Sequence, residues 1–175
     1  PRRMDGIEVI NNAAPTVLNN VLANLQTGIT IDSSSTPYTV LSYNTFKQNT
    51  TRLTRGVGGP IEDGLQGAAP GYQLDPTDPL FVDASAGNFY PEVMSPIIDS
   101  ALQIVGERWK MHLVRDPLAI QDSDIEAPKT DMHGQDRWGA PVDQGGKGGT
   151  GANIWQDRGA IDRVDFIGPK AKLVN

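Results

Sequence analysis

Few residues in this chain are of a type and spacing that could carry chemistry. There are 175 residues and two histidines, His112 and His133. General acid–base work needs such a group set beside a carboxylate or a nucleophile. Neither histidine sits in a nucleophile-elbow pattern, and His133, just before Gly134, reads as a turn residue. Gly145-Gly146-Lys147-Gly148-Gly149-Thr150 superficially matches a phosphate-binding loop. It lacks the spacing and the strand–helix setting that such a loop needs, so a flexible arm over residues 139–151 is the better reading. Asp122, Asp124 and Glu126 alternate in a short acidic stretch, and Asp75 and Asp78 flank Pro76. Hard cations use oxygen clusters of this kind, which makes calcium the one cofactor the pattern admits. A central Gly and a terminal Glu are missing, however, so a solvated acidic loop is preferred and no cofactor is expected. Polysaccharide cleavage would need carboxylates converging on one groove. Between Gly6 and Asn49 the only charges are Glu8, Asp32 and Lys47. They form no paired-carboxylate centre, and the expectation is a protein that is not an enzyme.

The composition bounds what could position such groups. Apolar residues make up 38% of the chain and aromatics 6%, thin for a compact enzyme core, while Gly (19) and Pro (13) favour turns over helix. Charged residues are only 21%, so the chain is ordered and loop-rich rather than disordered. A formal net charge of −6 argues against nucleic acid, whose binders present a basic face. With no cysteine, disulfides, zinc ribbons and thiol nucleophiles are excluded together. No apolar run approaches the ~18 residues of a membrane-spanning helix, so membrane insertion is not expected. The chain opens at Pro1 rather than Met, which predicts processing or a longer parent chain.

The most informative stretch is a repeat. Gly6-Ile7-Glu8-Val9 recurs as Gly28-Ile29-Thr30-Ile31, an offset of 22. Thr16-Val17-Leu18 recurs as Thr39-Val40-Leu41, an offset of 23, and Asn20-Val21-Leu22 maps on Asn44-Thr45-Phe46, an offset of 24. Single residues added at turns, notably in 32–37, account for the drift. Ile7 and Val9, like Ile29 and Ile31, put apolar side chains on one face with polar residues between, which is the period of a strand. Three short β-branched runs in a unit of ~22 residues describe one rung of a parallel β-helix. Asn12, Asn20, Asn24, Asn44 and Asn49 fall at candidate turns. There an Asn can take left-handed geometry and share amide hydrogen bonds with the adjacent rung. The competing fold is a small antiparallel sandwich with chance similarity between two segments; the periodicity favours the β-helix.

Beyond the repeat, Asp78-Pro79-Leu80-Phe81-Val82-Asp83, Gly87-Asn88-Phe89 and Ser95-Pro96-Ile97-Ile98-Asp99-Ser100 follow in order. Asp131-Met132-His133-Gly134-Gln135-Asp136-Arg137 and Asp157-Arg158-Gly159-Ala160-Ile161-Asp162 complete the series. In their order these motifs resemble the C-terminal region of large bacterial cell-surface proteins with right-handed, pectin-lyase-like parallel β-helices. The resemblance spans roughly residues 6–166. The segment 103–128, with Trp109 and Met111, departs from it as an insertion. The resemblance implies an all-β fold, a right-handed parallel β-helix (β-solenoid) of few rungs with a long irregular Gly/Pro-rich C-terminal extension. It also implies an extracellular, cell-surface location, and it implies no reaction, because the fold hosts lyases, hydrolases, adhesins and scaffolds alike. The expected organisation is rungs in 1–55, a last-rung and capping segment in 56–102, and an extension or arm in 103–175. That arm, with Trp109, Trp138 and Trp155 as anchors, is expected to wrap its own rungs or those of a neighbour.

So short a stack exposes strand edges at both ends, and repeat folds generally need three or more repeats and caps. The expected function is therefore a structural protein of the bacterial cell surface. Subunits would stack head to tail into an extracellular fibre, a homopolymer with a contact that does not close. Ile7, Val9, Val17 and Leu18, with Leu173 and Val174 as a short C-terminal strand, are the expected self-association residues. Two other readings stand beside it: a carbohydrate-binding or carbohydrate-cleaving β-helix domain cut from a larger surface protein, with glycan contact along a groove, or a phage fibre component.

Overall fold

The computed structural model describes residues 4–56, 72–102, 104–105, 115–121, 123–135, 137 and 157–163. Eight short strands come first: β1 (Ile7–Val9), β2 (Thr16–Leu18), β3 (Val21–Ala23), β4 (Thr27–Ile31), β5 (Val40–Ser42), β6 (Thr45–Lys47), β7 (Thr51–Arg55) and β8 (Tyr72–Gln73). They form three parallel sheets, ordered β1-β4-β7, β2-β5 and β3-β6-β8. In its first two passages the chain visits the three sheets in the same order, and β7 and β8 return to the first and third; each passage is a circuit. The fold is all-β and rich in parallel strands.

Alternation sorts the side chains. Val9, Val17, Leu22, Ile29, Ile31, Leu41 and Phe46 come from all three sheets and form one buried cluster, against which Ile7, Ala13, Leu25 and Leu53 pack. Burying side chains of this size contributes about 1.5–3 kcal/mol each. Gly6 and Gly28 repeat because their column has no room for a side chain. A Cβ on Gly6 would lie 2.6 Å from Leu25 Cδ1, and one on Gly28 2.8 Å from the Phe46 ring.

The repeat's register holds at two of three sites. Ile7 stands opposite Ile29, and Leu22 opposite Phe46, at the expected offsets. The middle offset is corrected, because Thr16 pairs with Val40 rather than Thr39. Both extra residues of the second circuit are therefore inserted at one place, between Ile31 and Val40. The cause is a built turn. Asp32 Oδ1 accepts from the Ser34 hydroxyl and the Ser35 N–H, and Thr39 Oγ1 donates to Ser35 O, which holds Thr39 outside the strand. The first circuit's turn sits on this one: Asn11, Asn12 and Ala13 donate their N–H groups to Asp32, Ser34 and Ser35 side chains. The Asn11 N–H, with the Ser35 and Ser34 groups, pulls the Asp32 carboxyl down to about 2.

The corner asparagines divide their two expected roles between neighbours. Asn12 and Asn24 take left-handed backbone, as do Asn19, Tyr43 and Gln48. Asn20, Asn44 and Asn49 instead follow the left-handed residue and make the bonds between circuits. Asn44 Nδ2 donates to Val17 O (2.8 Å) while its Oδ1 accepts from the N–H and the amide of Asn20 (both 3.0 Å). Asn49 repeats this at the next corner, donating to Leu22 O and accepting from Leu25 N.

A second layer lies against one sheet. Leu74, Leu80 and Ile97 form a separate cluster with Phe81 and with Val21 and Ala23, the side chains that β3 turns away from the first core. Strands β9 (Phe81–Asp83) and β10 (Asn88–Pro91) make an antiparallel hairpin, with Phe81 and Phe89 edge to face at 5.5 Å. Strands β11 (Ile104–Val105) and β12 (Ile125–Glu126) pair antiparallel within the insertion.

Candidate functional site

The densest polar cluster is where residues 157–163 cross the layer and the circuits. Asp131, Arg137, Asp157, Arg158 and Asp162 are each no more than 7% exposed. Gly159 makes the crossing feasible: its φ is +104°, and a Cβ there would lie 3.3 Å from Val21 Cγ2. Its N–H donates to Asn19 O at 2.8 Å, and the Arg158 N–H donates to Ile97 O.

The charged side chains act on main chain. Arg158 donates from Nε to Ser100 O (2.8 Å) and from a terminal nitrogen to Thr45 Oγ1 (3.0 Å), and its guanidinium lies over the Tyr43 ring at 5.1 Å. Arg137 donates to the carbonyls of Asp157 and Gly159, and Arg163 to Pro91 O. The carboxylates do the reverse. Asp157 accepts from the N–H groups of Asp99 and Arg163, Asp162 from that of Asp157, and Asp131 from those of His133, Gln135 and Asp162. Arg offers only donors, and the carboxyl oxygens of these Asp side chains that face N–H groups act as acceptors, so together they meet both halves of a peptide backbone that lies largely outside the strands. Asn19 does both with one amide, donating to Leu102 O (2.7 Å) and accepting from Leu102 N (2.9 Å).

Ionisation follows surroundings. Burial pushes the Asp157 carboxyl up to about 8, with the charge of Asp162 beside it adding to the effect. Burial also acts upward on Asp131, but the N–H groups of Gln135, His133 and Asp162 outweigh it and hold that carboxyl below its ordinary value. An open groove of about 1690 Å³ runs beside this closure, between β2 and β3 on one side and the β9–β10 hairpin on the other. Phe81, Phe89, Tyr90, Leu18, Asn20 and Met132 are among its lining residues.

Of the residues singled out in the sequence, Val9 and Val17 are buried in the first core and Ile7 and Leu18 are half-buried. All four lie in the first circuit, whose strands are the outermost of their sheets. Leu173, Val174, Asp122, His112, the three tryptophans and the arm at 139–151 lie outside the described residues. Asp124 is exposed and Glu126 sits in β12, and no group of three metal-ligating side chains converges among the described residues. Asp75 and Asp78 close their own turn through Thr77 and the Asp75 N–H. His133 is an exposed turn residue bonded through its N–H to Asp131. In the sequence the Asp157–Asp162 element stands only as a motif, with no role attached to it. Its signal was present: two carboxylates and an Arg around a Gly, in a stretch with no strand pattern.

No family model matches the chain, and neither a curated protein nor a solved structure does so. What the molecule does must be read from its own geometry.

Proposed function

We propose that this protein is a structural, non-enzymatic component of the bacterial cell surface, a short right-handed parallel β-helix whose copies stack head to tail into an extracellular filament. One observation carries this. The first circuit leaves β1, β2 and β3 each as the end strand of a parallel sheet, with no partner on the outer edge among the described residues. Unpaired parallel edges that flank one continuous apolar core are templates for a further circuit. The polar closure supports the same reading, because its buried charged groups are bonded to the backbone of their own chain. Negative-stain electron microscopy with sedimentation of native protein tests it. Uniform filaments that lengthen with concentration are expected; monomers alone at high concentration overturn it.

A second reading, glycan contact, has its own observation in the aromatic-lined groove beside the hairpin. Titration with neutral and acidic oligosaccharides, read by tryptophan and tyrosine fluorescence, would reveal binding that Phe89→Ala abolishes.

A further inference from the structure

Resting on the stacking reading above, a more specific surface can be named. Among the described residues, the sheet β1-β4-β7 ends in β1 on one side and β7 on the other. Ile7, Ile29 and Leu53 share one row across it, and Glu8, Thr30 and Thr54 the next. Gly28, one residue before Ile29, lies level with Arg52. The same register continued onto a second copy sets Leu53 of one copy beside Ile7 of the other, and Thr54 beside Glu8. Arg52, whose guanidinium lies over the Phe46 ring at 5.9 Å in its own chain, then falls level with Gly6, beside the Leu22 and Leu25 side chains, and diagonal to Glu8, within reach of a long side chain. Both Arg52 and Glu8 are exposed, and they carry opposite charges. Inside one chain β4 separates them by two strand spacings, roughly 9–10 Å, so they gain little from each other there.

The corner asparagines point to the same end. Asn44 and Asn49 each use an amide oxygen on an N–H of the preceding circuit. Asn20 occupies the same corner position in the first circuit. Its amide nitrogen is taken up by Leu18 O and Asn44 Oδ1, while its amide oxygen accepts no bond among the described residues. The ladder thus stops half-made at the first circuit, with an acceptor set where an incoming circuit would bring main-chain N–H groups.

We infer that a second copy of this chain docks the outer edge of its β7 on the outer edge of β1, in the register the chain already uses, with Arg52 of one copy paired to Glu8 of the next. Charge reversal tests it on the full chain. Glu8→Arg and Arg52→Glu are each expected to raise the critical concentration for filament growth about threefold to fivefold, and the double swap to restore it. Thermal unfolding of each variant monitors the fold, and Glu8→Ala, at an exposed position, supplies a milder variant with a smaller effect in the same direction. Wild-type filaments whose critical concentration ignores both single changes, or a double swap that adds the two losses, would overturn this pairing while leaving the stacking reading intact. Absence of wild-type filaments overturns both.

Discussion

The circuits and the layer beside them solve one problem in two ways. Between Gly6 and Arg55, main-chain groups are paired by repetition, strand on parallel strand, with one amide ladder at the corners. Among the described residues between Leu74 and Arg163, regular pairing is sparse, and buried Arg and Asp side chains take over main-chain groups instead. The first solution draws its stability from apolar area shared by every circuit. The second depends on a few charged side chains whose loss leaves buried donors and acceptors unmet. A pattern of the first kind can recur wherever like strand meets like strand, whereas one of the second kind depends on its particular residues.

The comparison is most strongly tested by removing the core. Phe46→Ala empties the largest fully buried side chain among the described residues and is expected to cost about 3–5 kcal/mol. Because Phe46 packs with residues of every sheet, amide exchange should speed up through both regions together. Rapid exchange confined to the layer would contradict a core on which the layer depends.

A smaller and more local effect is expected from Arg158→Ala, about 2–4 kcal/mol. Here exchange should rise first at the amides of Leu102 and Gly159, with those of β4 and β5 still protected. Arg158→Lys should recover little, since one ammonium cannot reach both Ser100 O and Thr45 Oγ1 in the fork geometry. Equal loss of protection in the circuits would show that the two regions are one cooperative unit.

The third test is of pH dependence. The Asp157 carboxyl is raised from 3.8 to about 8 in the folded chain, by burial and then by Asp162. The folded state therefore holds this proton more tightly than the unfolded chain does. Its contribution to the closure is complete below the ordinary carboxylate value and is lost as pH rises through about 8. Exchange at the Asp99 and Arg163 amides, which donate to this carboxyl, should accelerate between pH 5 and 9 beyond the intrinsic trend. Asp157→Asn should remove the excess slope; an unchanged slope would assign it to another group.

Much of the circuit region is legible in the sequence. Ile7, Val9, Ile29 and Ile31 gave away strands by their alternation, and two of three repeat offsets matched the real register, because parallel pairing stacks like on like. The third offset failed at Thr39, where similarity of letters competed with a side chain already committed to a turn. The corner asparagines were located correctly, but their labour was assigned to single residues when the backbone divides it between neighbours. The closure was visible only as motifs in order. Nothing in Asp157-Arg158-Gly159 says that its partners are Ser100, Thr45 and Asp99, since no periodicity links segments that meet once.

By itself the sequence determined the strand period, the length of a circuit and the places where the chain must turn, all of which are local properties of side-chain shape and backbone preference. Only the tertiary structure decided that Asn19 would clasp Leu102, that Arg158 would reach Thr45, and that burial would leave Asp157 holding a proton near neutral pH. Those depend on which distant groups are brought together and how much water is excluded between them. Distance and exclusion are properties of the packed molecule, and no window along the chain contains them.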